Sequence, residues 1–275
     1  MKPLSGKVAI VTGASAPRGI GNAIVRRLAG DGASVIATDL SGSLQEDGDT
    51  HDKTELLHAL SAELLEAGSA VMPLNMDVTD TGDVRRCIAA AMTEFGRVDI
   101  LVNNAGSLAG SDKFLSTTPD QWETSFRVNI LGPMMLTQAV IPEMREAGGG
   151  RIINIGSTGS LGAEPGFGAY TTMKHGLVGM TKTIAAEFGV DGILCNIVCP
   201  GYIMTDMHAA ANERLAKQAA VSVDEVRKQR YANVAVRDAG QPEDVAEAVS
   251  YLAGPNSAYV TGICLPVSGG VPFGI

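Results

Sequence analysis

Aromatic side chains are scarce in this 275-residue chain, at 4% of residues, and cysteine appears only 4 times. A small disulfide scaffold is excluded, because Cys87, Cys195, Cys199 and Cys264 are scattered and form no CxxC pair. Cys195 and Cys199 lie four apart in an apolar segment that reads as a strand. That spacing stretches to roughly 13 Å and closes neither a disulfide nor a zinc site. All four are therefore read as buried, reduced thiols. Positive charge is also in deficit: the formal balance of -9 argues against a nucleic-acid partner. Long hydrophobic runs are missing too. The longest uncharged stretch near mid-chain, Val128 to Pro142, is broken by Asn129, Gly132, Pro133 and Gln138 and is too short for a membrane span. No apolar leader precedes Val8 to Thr12, so a soluble, cytoplasmic protein is expected. No repeat or linker divides the chain, and one domain is expected. The acidic segment Ser41 to Asp52, with Glu46, Asp47, Asp49 and Asp52, has no regular ligand spacing. It is read as an exposed loop and not as a metal site.

What the chain has is alternation. Strand-length apolar runs at Lys7 to Thr12, Ser34 to Thr38, Ala70 to Met76, Ile100 to Asn103, Arg151 to Ile155, Ile193 to Cys199 and Gly262 to Pro266 are separated by helix-length amphipathic segments. Those helices are expected at Ile20 to Ala29, Lys53 to Ala67, Asp83 to Phe95, Asp120 to Ala147, Tyr170 to Phe188 and Pro242 to Ala253. The pattern predicts an α/β fold, a doubly wound parallel sheet with helices on both faces. A site in such a sheet lies at the carboxyl ends of the strands, where Thr12, Asp39, Asp77, Asn104, Ser157 and Pro200 fall. The Ala-rich stretch 205–231 is helical in pattern, and its position suggests a substrate lid.

Tyr170 and Lys174 lie four apart, on one face of a predicted helix. A lysine ammonium so placed favours the phenolate and lowers the tyrosine pKa, fitting Tyr170 to exchange a proton with an alcohol or ketone oxygen. Ser157, on a separate loop, would hydrogen-bond the same oxygen. After the first strand, Gly13, Ser15, Arg18, Gly19, Ile20 and Gly21 form a glycine-rich turn that opens a helix, suited to a pyrophosphate. Asp39 ends the second strand and can accept hydrogen bonds from both adenosine ribose hydroxyls while repelling a 2′-phosphate, which favours NAD over NADP. Arg18 pulls the other way, but the neighbouring Leu40 and Ser41 supply no second positive charge. Asp77 and Val78 follow the third strand at the adenine edge. Asn104, Ala105 and Gly106 follow the fourth and are small enough to lie against the cofactor.

These elements, in order, resemble the short-chain dehydrogenase/reductase family over nearly the whole chain, from Lys7 to about Gly270. The resemblance rests on the glycine-rich turn, Asn103-Asn104-Ala105-Gly106, Asn129, Ser157, Tyr170 with Lys174, and Pro200-Gly201-Tyr202-Ile203-Met204-Thr205. It implies a Rossmann-fold oxidoreductase in which Tyr170 is the general acid/base and Lys174 depresses its pKa and holds the nicotinamide ribose. Ser157 would orient the substrate oxygen, and Asn129 would anchor a water that joins Lys174 to solvent. Ile203 and Thr205 would meet the nicotinamide end, beside Pro200 and Gly201. The expected reaction is hydride transfer between NAD and a secondary alcohol or ketone of polyol, sugar or cyclic type. The alternatives are a 3-oxoacyl thioester reductase using NADPH and a non-catalytic NAD(H)-responsive binding protein. Glu164, Phe167, Tyr202, Met204, Met207 and His208 should border the substrate pocket. Glu164 is read as an exposed loop carboxylate and His208 as a solvated histidine at a helix start. The family also implies a homotetramer built on the helices Asp120 to Ala147 and Tyr170 to Phe188. Three departures stand out: two extra residues, Ala16 and Pro17, in the phosphate turn, a long segment between Asp39 and Asp77, and Ser268 before Gly269-Gly270 where the family has Asp.

Overall fold

The computed structural model of the protein describes residues 2–46 and 49–272. Seven parallel strands form one sheet: β1 (Val8–Thr12), β2 (Ser34–Asp39), β5 (Val71–Asn75), β6 (Ile100–Asn103), β7 (Gly150–Ile155), β8 (Ile193–Pro200) and β9 (Cys264–Val267). Their spatial order is β5-β2-β1-β6-β7-β8-β9, so the order reverses beside β1. Strand sequences show why both faces are covered. Ala9 and Val11 of β1, with Val35 and Ala37 of β2, pack into one core, whereas Val8, Ile10 and Ile36 pack into another. Alternate side chains point to opposite faces, and here both sets are apolar, as a sheet between two helix layers requires.

The first core is closed by α1 (Ile20–Gly30), α2 (Lys53–Glu66) and α9 (Pro242–Ala253), through Ile24, Leu28, Leu57, Leu60, Val245 and Leu252. The second is closed by α3 (Thr81–Phe95), α5 (Gly132–Glu146) and α6 (Gly168–Phe188), through Ile88, Leu136, Val140 and Ile184. Cys87, Cys195 and Cys199 are buried free thiols that burial pushes up to about 12, whereas Cys264 on the edge strand is partly exposed.

Two expectations need correction. The acidic segment is not an irregular loop: β3 (Ser43–Glu46) and β4 (Asp49–Asp52) pair antiparallel, Ser43 opposite Asp52 and Glu46 opposite Asp49. The Gln45 side chain donates to Thr50 Oγ1 at 2.6 Å, and Asp52 then caps α2 by accepting from the Thr54 and Glu55 amides. Asp47 and Gly48 lie outside the described residues, but Asp-Gly between two short segments is a hairpin signal in the sequence itself. The long helix expected from Asp120 to Ala147 is likewise interrupted. A capped helix α4 (Pro119–Phe126) passes into a π turn, Arg127–Leu131, before α5 begins. Gly132 starts α5 against Val78, where an added Cβ would meet Val78 Cγ2 at 2.9 Å.

The 205–231 stretch forms two helices, α7 (Asp206–Ala219) and α8 (Val223–Arg230). Ala220, with φ of 52°, turns the chain between them.

Candidate active site

Every strand end named from the sequence opens on the same edge of the sheet. Thr12 anchors the first two: its Oγ1 accepts from the Asn104 and Ala105 amides at 3.0 and 2.9 Å. The Asn104 side chain returns the contact, donating to Thr12 O at 2.7 Å and Gly13 O at 2.9 Å. The glycine-rich turn is packed too tightly for side chains. A Cβ on Gly21 would sit 2.1 Å from Gly13 O, and one on Gly19 2.9 Å from Ala16 O, while Gly13 has φ of 70°. The turn therefore presents backbone at the N-terminus of α1, where amides and the helix dipole suit a phosphate. Those residues fit a dinucleotide.

Asp39 is held beside that turn. Its Oδ2 accepts from the Ser15 amide at 3.0 Å and Ser15 Oγ at 2.7 Å, and its Oδ1 from the Leu40 amide at 2.8 Å. Lys53 Nζ lies 3.4 Å from the same Oδ1. Lys53 was missed from the sequence, because the β3–β4 hairpin folds away the residues between and only then does α2 start against Asp39. The Arg18 guanidinium makes an ion pair with Asp206 at the start of α7. The glycine-rich turn and α7 thus meet directly, a contact with no local sequence signal.

Asp77 is turned inward on its own segment, accepting from the Thr79 amide and hydroxyl, both at 2.8 Å, and Val78 is buried against Gly132. At the end of β8, the Gly201 amide donates to Val267 O at 3.0 Å, and an added Cβ would lie 2.9 Å from Ser268 Cβ. Ser268, the departure near the C-terminus, is therefore the backstop of the Pro200-Gly201 turn. Ile203 is buried and bridges to Gly240, and Thr205 caps α7 by accepting from the His208 amide at 3.3 Å.

Ser157, Tyr170, Lys174 and Asn129 come together between β7, α6 and the π turn. Ser157 opens a single helical turn and accepts from the Gly159 amide at 3.1 Å. Lys174 is buried, with its Nζ donating to Ile155 O at 2.7 Å and lying 5.5 Å from the Tyr170 ring centroid. Gly106 fits between Lys174 and Asn129: an added Cβ would be 3.3 Å from Asn129 Oδ1 and 3.7 Å from Lys174 Nζ. Asn129 is buried, its amide nitrogen donating to Ser107 O and Ser125 O at 2.9 and 3.0 Å and its oxygen accepting from the Ser107 amide at 3.2 Å.

The charge balance at Tyr170 differs from the sequence expectation. Burial raises the phenol above its ordinary value, and the hydrogen-bonding Ser157 side chain pulls it back only in part. Lys174 does not dominate because its ammonium faces the ring and the Ile155 carbonyl, and burial brings the lysine itself down to about 8.

Around the mouth, Glu164 is exposed as expected, and Phe167 packs edge-on to Tyr170 with ring centroids 6.3 Å apart. Met204 donates its amide to Gly240 O at 2.8 Å, and the Met207 side chain lies outside the described residues. His208 is not a solvated histidine. Its Nε2 lies 2.7 Å from Tyr231 Oη, and burial, with Arg230 and Arg227, pushes its pKa down to about 4.

A family model described as enoyl-(acyl carrier protein) reductase matches residues 13–272. The chain is 40% identical to the 2-(R)-hydroxypropyl-CoM dehydrogenase of Xanthobacter autotrophicus over 266 residues, covering 96% of this chain and 97% of that one.

The chain is a short-chain dehydrogenase/reductase.

Solved structures of this family superpose over nearly its whole length. Levodione reductase aligns with a TM-score of 0.86 at 28% identity, over 97% of this chain and 98% of that one. A variant of the actinorhodin polyketide ketoreductase, crystallised with NADPH, aligns with a TM-score of 0.86 at 36% identity, over 96% and 97%. The short-chain dehydrogenase/reductase described here is thus an oxidoreductase built to bind a nicotinamide dinucleotide.

Proposed function

We propose that this enzyme transfers hydride between NAD(H) and a secondary alcohol or ketone of polyol, sugar or cyclic type. The observation that carries the reading is the convergence of Ser157, Tyr170 and Lys174 at the strand edge that also presents the glycine turn and Asp39. When bound, the dinucleotide supplies the hydride acceptor or donor. The protein supplies position and proton handling. Tyr170 Oη gives or takes the hydroxyl proton, Ser157 Oγ orients the substrate oxygen, and Lys174 supplies positive charge beside them. Asn129, joined to Lys174 across Gly106, positions the polar path by which that proton reaches solvent. The turn from Gly13 to Gly21 holds the pyrophosphate. Asp39 and Leu40 hold the adenosine ribose, Asp77 and Val78 border the adenine, and Asn104 to Gly106, Pro200, Gly201, Ile203 and Thr205 line the nicotinamide half. Helices α7 and α8 act as the lid.

NAD is preferred in this reading because the Asp39 carboxylate, held beside the glycine-rich turn, would repel a 2′-phosphate. A second reading, an NADPH-dependent 3-oxoacyl thioester reductase, is favoured by Lys53 beside Asp39 and by the NADPH carried by the actinorhodin enzyme. Turnover of a secondary-alcohol panel with NAD+ and with NADP+ separates them. A clear excess of kcat/KM with NAD+ is expected, and equal or greater efficiency with NADP+ on 3-hydroxyacyl thioesters would establish the second reading.

We also propose a cytoplasmic homotetramer assembled on α5 and α6. No helix among the described residues is long and apolar enough to cross a membrane. On α6, Ala185 is buried in the protein's own core, whereas Gly176 and Gly179 are exposed and let a second helix approach closely. Sedimentation as a monomer would remove this proposal.

A further inference from the structure

The two lid helices are joined by a buried polar chain. The Arg230 guanidinium, at the end of α8, donates to Asn212 Oδ1 on α7, Asn212 Nδ2 donates to Tyr231 Oη at 3.1 Å, and Tyr231 meets His208. Asn212 and Tyr231 are 1% and 2% exposed, so the chain is a built element and not a chance surface contact. Its outer end meets the segment that follows β8. Arg230 lies over the Tyr202 ring at 5.3 Å, and Tyr202 follows directly on the Pro200-Gly201 turn that ends β8. Tyr202 also packs on His208 and Tyr231, with ring centroids 5.7 and 5.6 Å apart.

Arg230 is thus fixed on one side by an amide oxygen and on one face by an aromatic ring, and the residue is partly exposed. Among the described residues it has no carboxylate partner, whereas Arg227 on the same helix pairs with Asp238 at 3.3 Å. The field at His208 is positive although the chain as a whole carries -9. Arg230 and Arg227 both oppose protonation of His208, whereas at Tyr202 burial and then Glu164 raise the phenol and Arg230 offsets them only in part. One carboxylate, the exposed Glu164, acts on the Tyr202 phenol by charge and by hydrogen bonding.

We propose that Arg230, stacked on Tyr202 and held by Asn212, is a specificity residue that binds an oxyanion on the far end of the substrate. The substrate is then a secondary alcohol or ketone carrying a carboxylate or sulfonate tail. A guanidinium pre-oriented in this way presents paired N–H groups to a planar or tetrahedral oxyanion. The assignment rests on the dehydrogenase reading of the site and adds to it the chemistry of the substrate's unreactive end.

The test is isothermal titration of the enzyme–NAD+ complex, which cannot reduce a ketone, with keto-carboxylates of increasing spacer length and with their neutral amides. Wild type is expected to bind the best carboxylate about ten- to a hundredfold tighter than its amide, as a charge-assisted contact provides. Arg230→Met should erase that ratio and Arg230→Lys should keep part of it, with NADH titration of the same preparations reporting that each is folded. Equal affinity for acids and amides in wild type, or a preference that survives in Arg230→Met, overturns the proposal. So does a lack of binding by any acid. Oxidation of secondary alcohols by NAD+ is measured separately on a panel of neutral and acid-tailed alcohols: its absence across the whole panel refutes the dehydrogenase reading, whereas its presence with a flat acid-to-amide ratio refutes only the role of Arg230.

Discussion

Replacing Lys174 by methionine is expected to stabilise the folded protein at neutral pH while removing its activity. Lys174 is 4% exposed and has no carboxylate beside it; its polar contact is the Ile155 carbonyl at 2.7 Å. Burial brings its pKa from 10.5 to about 8, which corresponds to about 3 kcal/mol of folding free energy held against the charged form. Methionine fills nearly the same volume and removes that penalty, but it leaves Ile155 O without a donor, at a cost of about 1 to 2 kcal/mol. The net gain is about 1 to 2 kcal/mol, or roughly 2 to 5 °C in Tm for a chain of this size.

The pH dependence identifies the cause. Below about 8 the lysine is charged in both states, and the folded state bears the full penalty. Between about 8 and 10.5 the unfolded chain binds the extra proton, so wild-type stability from this group rises with pH. The methionine variant lacks that rise, and its advantage shrinks across the window. Urea unfolding of both proteins at neutral pH and near pH 10 reads the difference. A variant less stable than wild type at neutral pH, or an offset that does not change across the window, refutes the reasoning. On the proposed role of Lys174 beside Tyr170, the penalty is a trade of stability for function.

Other changes follow from the same geometry. Asp39→Ala leaves Lys53 Nζ facing the ribose pocket and should raise the NADP+ to NAD+ ratio of kcat/KM about tenfold; an unchanged ratio would remove Asp39 from cofactor choice. Gly21→Ala forces a methyl to 2.1 Å from Gly13 O, so urea unfolding should show a loss of about 1 to 3 kcal/mol, with NADH titration showing weakened binding. Tight nucleotide binding by that variant would contradict the packed turn.

The seven sheet strands were legible in the sequence because this sheet is covered on both faces and each strand is a near-continuous apolar run. The β3–β4 hairpin was not, since its strands are polar on both faces and carry no hydrophobic period; only Asp47-Gly48 hinted at a turn. The π turn at Arg127–Leu131 escaped because it changes hydrogen bonding without breaking the helical apolar pattern. In the site, the spacing of Ser157, Tyr170 and Lys174 was readable because it is local to one loop and one helix. Lys53, Asp206, Asn212 and Arg230 were not, because each meets its partner only after the hairpin or the lid has folded. Burial also decided the sign at Tyr170, and spacing carries no information about burial.

The central claim is that Tyr170 carries the proton transfer in a nicotinamide-dependent oxidation, and Tyr170→Phe tests it most directly. Turnover of the best alcohol, followed by the absorbance of reduced nicotinamide, should fall by about a thousandfold, while NADH titration gives wild-type affinity. Turnover retained by the phenylalanine variant would contradict the account.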